Sequence, residues 1–294
     1  MLGAIAGDVI GSPYEWRASH STAFPLFAPE SRFTDDTVLT VATAQAILTR
    51  TSYADAYHSF GNRYPNAGYG GAFQAWLRQR GRKPYGSWGN GSAMRVSPVG
   101  LAGDSFDEVL AEAERSAAVT HDHPEGIRGA KAVAGAVFLA RTGATKDTIR
   151  ERIIEVTGYD LSRTVAEIRP TYSFDVSCQG SVPEAITAFL EADDVEQAIR
   201  NAISLGGDSD TQGAIAGGMA EAFWGGVPAP IAEEVRRRLP AELLDVIDAF
   251  EERYPVGPGR GRPAELDSVL RLAFLKPERK GMKGTKDKKK GNDQ

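Results

Sequence analysis

The sequence predicts an all-α protein, and three observations carry that expectation. Apolar residues recur at helical spacing, runs with strand periodicity are scarce, and the connections hold Gly, Pro and Asn where helices should stop. Val38, Leu39, Val41, Ala42, Ala46 and Ile47 form one face of a helix expected to run to about Arg50, and Ile186, Phe189 and Leu190 begin another. The pattern returns near 105–118, 124–142, 146–157, 193–204, 211–224 and 240–253. With no internal repeat and no linker in between, a single domain is expected over 1–275. Beyond it, 276–294 has the composition of a solvated, disordered Lys-rich end. A charged terminus of this kind reads as a solubilising segment rather than a poly-anion tether.

With 41% hydrophobic and 25% charged residues, a chain of 294 residues can bury a large core, so a globular body is the expectation. The net charge is -5, and the stretch from Lys276 to Gln294 carries eight basic against three acidic residues, which leaves about -10 for everything before it. An acidic body argues against general phosphate-backbone binding. A single cysteine excludes an internal disulfide framework and a Cys-based zinc cluster, and favours a cytoplasmic location. The N-terminal MLGAIAGDVIGSPYEW lacks a basic leader, and no stretch approaches the roughly 18 to 20 apolar residues of a membrane span. No long apolar stripe is left unassigned, which points to a monomer.

Two acidic clusters stand where a loop becomes a helix: Phe33-Thr34-Asp35-Asp36-Thr37 and Gly206-Gly207-Asp208-Ser209-Asp210-Thr211. One acid, or one hydroxyl, is enough to cap a helix start. Two carboxylates within three residues repel each other, and a bound cation is the simplest agent that makes both pairs favourable. Together the clusters offer four carboxylates and the hydroxyls of Thr34, Thr37 and Thr211. Such an all-oxygen set suits hard ions such as magnesium or manganese, and its size suits two of them.

Gly3, Gly7 and Gly11 recur at i, i+4 and i+8, as Gly213 and Gly217 do after the second cluster, so each set lies on one helix face that lets another backbone approach closely. Packing of these two glycine faces would bring Glu15 and both acidic clusters to one centre. For Asp8, a cap or packing contact and a direct role remain open.

These motifs in this order, GAIAGDVIGSPYE, FTDDT, GNGSAMR at 89–95, the Thr120-His121 segment, SVPEAI at 181–186 and GGDSDT, resemble the ADP-ribosylglycohydrolase family. The resemblance implies an all-α orthogonal helical bundle around a binuclear centre of two Mg2+ or Mn2+ ions. The ions would be held by residues that here are Thr34, Asp35, Asp36, Asp208, Asp210 and Thr211. It also implies a glutamate near the metals and the scissile bond at Glu15, contacts to ADP-ribose from Asn90, Gly91, Ser92 and Met94, and His121 beside the ribose. Ser209 departs from the Thr common in relatives, at a position with no catalytic consequence.

The remaining motifs are less decided. Arg95 is a candidate either for the diphosphate or for a structural ion pair. In His121-Asp122-His123-Pro124-Glu125 the two imidazoles could suggest a metal site, but Pro124 reads as the first residue of a helix capped by Asp122 or His123. Cys178 lacks a supporting base and reads as inert packing rather than a nucleophile. Tyr172 and Phe174 are open between adenine stacking and core. The expected activity is metal-dependent hydrolysis at the anomeric carbon of the distal ribose, releasing ADP-ribose from a protein, nucleic acid or small conjugate, with Glu15 or Asp36 as general base. A metal-dependent phosphohydrolase and a non-catalytic ADP-ribose-binding protein are the competing readings.

Overall fold

In the computed structural model, which describes residues 1–79 and 82–257, fifteen helices account for all regular secondary structure among the described residues apart from one isolated bridge, Gly89 to Ser177. They are α1 (Leu2–Gly11), α2 (Asp35–Thr49), α3 (Tyr53–Arg63), α4 (Gly71–Leu77), α5 (Gly91–Met94), α6 (Ser97–Ala102), α7 (Phe106–Ala118) and α8 (Pro124–Arg141). The second half contributes α9 (Lys146–Thr157), α10 (Val165–Ile168), α11 (Cys178–Leu190), α12 (Val195–Ile203), α13 (Ser209–Trp224), α14 (Ala229–Arg237) and α15 (Ala241–Arg253). The expected all-α class holds. The expected tail at 276–294 and the last part of the 1–275 domain lie outside the described residues.

Every residue of α1 is buried, and α13 is buried from Ser209 to Ala222. Helices apolar on all sides belong in a core, and α13 is its axis, packed on α1, α8, α11 and α12. The α1–α13 crossing is antiparallel and made by glycines. A Cβ added to Gly7 would fall on the Gly213 carbonyl, and one on Gly3 would fall on the Gly217 carbonyl; a Cβ on Gly213 would lie 2.6 Å from the Gly7 carbonyl oxygen. Only hydrogen fits there, as the spacing of the two glycine sets anticipated. Glu221 of α13 locks the end of the crossing by accepting from the Leu2 and Gly3 amides at 3.1 and 2.9 Å, two N–H groups that α1 itself leaves unbonded.

Helix ends follow local chemistry. Thr34, Ser52, Ser105, Thr145 and Asp194 accept from amides two or three residues ahead and start α2, α3, α7, α9 and α12. His123 caps α8, with Pro124 at its first turn, as the sequence suggested. Gly158 and Gly225 close α9 and α13 in the left-handed conformation that glycine adopts without strain. The helices that the periodicity did not announce are α3, α4, α14 and the short α5, α6 and α10.

The glycine crossing makes a direct prediction. Gly7→Ala should lower stability by about 1–3 kcal/mol in denaturant unfolding, whereas Gly71→Ala, where an added Cβ meets nothing within 4 Å, should leave it within about 0.5 kcal/mol. Equal effects would show that the crossing can relax.

Candidate metal centre and substrate cavity

The first turns of α2 and α13 face each other across the end of α1. Capping at α2 is done by the Thr34 hydroxyl, which accepts from the Asp36 amide at 3.3 Å, and Asp208 makes no side-chain cap bond at α13. The acids are therefore surplus to the helix starts. Thr211 Oγ1 donates to Asp36 Oδ2 at 3.3 Å and bridges the two clusters. Asp36 Oδ1 is buried with no hydrogen-bond partner. Glu15, Asp208 and Asp210 each offer a carboxylate oxygen, and these three atoms lie within 4.8 Å of one another.

Asp8 resolves as a socket rather than a direct participant. From inside α1 its carboxylate accepts from the Thr34 amide at 2.9 Å, the Thr34 hydroxyl at 2.8 Å, the Thr37 amide at 3.0 Å and the Thr37 hydroxyl. Three of those bonds fall on Oδ2 and one on Oδ1, and together they plug the start of α2 into α1. The glycine crossing then fixes α1 on α13, so the two acidic clusters are held by one rigid chain of contacts.

Like charges at this density resist ionisation. Burial first and the neighbouring Asp210 carboxylate second push Asp8 and Glu15 up to about 7, and the same two causes raise Asp35, Asp36 and Asp208 well above the usual carboxylate range. A hard divalent cation would remove that repulsion and give the orphaned Asp36 oxygen a partner. The oxygen-only donor set fits magnesium or manganese and lacks the thiolate and imidazole donors typical of zinc.

Above the acids opens a cavity of about 400 Å³. Glu15, Asp35, Asp36, Asp208, Asp210 and Thr211 lie on its acidic side, with Asn90, Gly91, Met94, Arg95 and His121 also in the lining. The glycine-rich loop is not free: Asn90 N donates to the Val176 carbonyl at 2.8 Å, Cys178 N to Trp88 at 2.9 Å, and the Cys178 thiol to Gly89 at 3.1 Å. This small pairing clamps the loop to the start of α11. Asn90 Nδ2 donates to Asp208 at 2.8 Å, linking the loop to the acids. Trp16 and Phe174 stack with ring centroids 5.4 Å apart, and both are exposed, at 78% and 43%. They line the cavity beside Glu15.

A model of the ADP-ribosylglycohydrolase family matches residues 1–258. The chain belongs to this family. Among similar proteins, ADP-ribosylhydrolase ARH3 of Mus musculus is 29% identical, over 76% of this chain and 82% of its own length. ADP-ribosylarginine hydrolase Tri1 of Pseudomonas putida is 24% identical, over 86% and 78%. A solved structure described as an ADP-ribosylglycohydrolase-related protein complex superposes with a TM-score of 0.63 at 25% identity, covering 85% of this chain and 95% of that one.

Most residues picked out from the sequence meet in this ADP-ribosylglycohydrolase cavity; Thr34, Ser92 and Tyr172 do not. Thr34 is buried behind the acids, its hydroxyl shared between Asp8 and Asp36, and does not line the cavity. Ser92 turns its hydroxyl away to the Gly126 carbonyl at 2.7 Å and serves the packing of α5 on α8. Tyr172 donates to the Gly180 carbonyl at 2.8 Å and buttresses the Gly207 turn, so only Phe174 of that pair reaches the cavity. Arg95 does line the cavity, and the ion-pair alternative fails, because it has no carboxylate partner among the described residues. It is fully buried and stacks on the Tyr57 ring at 4.0 Å. Cys178 is inert, its thiol pushed by burial up to about 12. Trp16, Phe73, Tyr85 and Val176 are among the lining residues that the sequence did not announce, as are Gly68, Gly70, Gly71 and Ala72; for Trp16 the available signal was its place directly after Glu15.

The acid cluster predicts how the metal-free protein responds to pH. Asp8 and Glu15 bind protons up to about pH 7 when folded, while unfolded carboxylates release them near about pH 4. Their contribution to stability is therefore present at low pH and lost as pH rises through about 7. In EDTA, the melting temperature should fall between about pH 5.5 and 7.5, and Mg2+ or Mn2+ at the higher pH should restore it. Melting temperatures that rise over this range, or ignore the cation, would count against a metal centre.

Proposed function

We propose that this chain is a metal-dependent hydrolase that removes ADP-ribose from a modified acceptor by cleavage at the anomeric carbon of the distal ribose. The observation that carries the reading is the buried carboxylate cluster on one side of a cavity clamped by the glycine loop, in a chain of the ADP-ribosylglycohydrolase family. Relatives named for action on ADP-ribosylated substrates, one of them on ADP-ribosylarginine, support the substrate class.

Two Mg2+ or Mn2+ ions would be held by Asp35, Asp36, Asp208, Asp210 and Thr211 from the cavity side and by Thr34 from the buried side, where its hydroxyl meets Asp36 Oδ2. When bound they supply Lewis acidity that orients hydroxyl groups and offsets the negative charge that develops as the glycosidic bond breaks. This chain's own residues do the rest. Asn90, Gly91, Ser92 and Met94 belong to the loop assigned to ADP-ribose; Ser92 supports it through its bond to Gly126. His121 lies beneath the same loop. Glu15, in the cavity with Asp208 and Asp210, takes the proton from the water that attacks the anomeric carbon. Asp36, with one oxygen toward Thr211 and the other unpartnered, holds the centre together and is the second carboxylate available to that water. The exposed Trp16–Phe174 stack gives a planar group a surface to lie on.

Release of free ADP-ribose from arginine-, serine- and DNA-linked substrates, with Mg2+ and then with excess EDTA, tests the reading. Release from at least one substrate that stops with EDTA is the expected result; AMP or inorganic phosphate as product would establish a phosphohydrolase instead. Asp36→Asn combined with Asp210→Asn should lower turnover at least about a hundredfold while the helical circular-dichroism spectrum is kept. Undiminished activity in that variant would remove the two-metal assignment.

A further inference from the structure

Arg95, Thr120 and His121 form a chain of three buried groups that ends in the cavity, exposed by 0%, 0% and 5%. Arg95 Nη2 lies 2.7 Å from Thr120 Oγ1, and Thr120 Oγ1 lies 2.8 Å from His121 Nδ1. Thr120 and His121 are held at this spot by their amides, which donate to the Ala117 carbonyl at 3.1 and 2.7 Å.

Proton counting decides the direction of the chain. A guanidinium is always a donor, so Thr120 Oγ1 accepts from Arg95. The threonine hydroxyl then has one proton to give, and His121 Nδ1 is its only acceptor among the described residues. The reverse arrangement, with Nδ1–H donating to Thr120, would leave that hydroxyl proton buried and unpaired, which costs more than a surface defect. His121 Nδ1 therefore carries no proton. Burial, and after it the Arg95 charge, also holds the imidazole well below its ordinary pKa, so the ring is neutral.

A neutral ring with a bare Nδ1 has its proton on Nε2. That nitrogen lies under the glycine loop: a Cβ added to Gly91 would be 3.1 Å from it, and one added to Gly89 would be 3.7 Å away. We propose that Arg95 and Thr120 act as a positioning relay that fixes His121 in the Nε2–H form, so that the ring donates a hydrogen bond to an acceptor oxygen of the substrate. The substrate half of this rests on the ADP-ribose reading; the tautomer half does not. The relay accounts for a buried Arg95 with no acid beside it, since the guanidinium sets the polarity of the hydroxyl between it and the histidine. It also makes the cavity selective for an acceptor at that point, a phosphoryl or hydroxyl oxygen rather than an ammonium or amide N–H.

The test is a 15N–1H correlation spectrum of the histidine rings in the metal-free, ligand-free full chain. His121 is identified among the four histidines by the signal lost in His121→Gln. The expected pattern at pH 7 is that of the neutral Nε2–H ring; an Nδ1–H or doubly protonated ring would overturn the proposal. Thr120→Val, which keeps the shape and loses the hydroxyl, should raise the Kd for ADP-ribose about tenfold, whereas Thr120→Ser should stay within about twofold. Unchanged affinity in Thr120→Val would also overturn it. If Thr120→Val fails to fold, the wild-type spectrum and Thr120→Ser decide. If the wild-type chain has no affinity for ADP-ribose, the proposed function fails, and the spectrum still decides the tautomer.

Discussion

The rest of the structure depends on two helices that touch backbone to backbone. Where Gly7 meets Gly213 and Gly3 meets Gly217, the axes of α1 and α13 come closer than any side chain permits. That approach places the end of α1, and with it Asp8 and Glu15, against the first turn of α13, which carries Asp208 and Asp210. Every later distance in the site inherits from it: Asp8 seats Thr34 and Thr37, these orient the first turn of α2, and that turn sets Asp36 beside Thr211. A core of interdigitated leucines would give way by tenths of an ångström; apposed peptide groups do not.

Against that rigid frame the sequence assembles something a fold by itself would avoid. Five carboxylates are drawn together, most of them buried, and the ionised forms of Glu15, Asp35, Asp36 and Asp208 are disfavoured by burial and by the neighbouring acids. Stability alone would replace them by caps, and the caps are already supplied by a hydroxyl at α2. Repulsion of this kind is kept where an external positive charge completes the site. The opposite case stands a short way off in the cavity, where the buried Arg95 has no acid to meet. Each unbalanced charge points to chemistry that the isolated chain does not contain.

Much of this was legible in the sequence because it is local or periodic. The helical class, the starts of α2, α8 and α13, the role of Pro124 and the meeting of the two glycine faces all follow from spacing and cap chemistry. The family resemblance supplied what spacing does not carry, the connection between acids nearly two hundred residues apart. What stayed hidden is the direction of individual side chains. Nothing local says that Ser92 turns to Gly126, that Tyr172 props Gly207, or that Thr34 lies behind the acids, because each is decided by a neighbour from a distant segment. The clamp between Trp88–Asn90 and Val176–Cys178 is equally silent, a pairing too short to leave an alternating pattern. Helices α3 and α14 escaped notice for another reason: aromatic and polar residues are mixed along the first, and prolines bracket the start of the second.

The Asp8 socket blurs the line between structural and functional residues. It does not line the cavity, yet its carboxylate holds Thr34 and Thr37, which orient the turn that carries Asp36. A survey of this protein by loss of activity would rank Asp8 among the residues of the reaction, and a survey by loss of fold would rank it among the core. Both rankings would be correct, because in this molecule the active geometry and the tertiary structure begin at the same four hydrogen bonds.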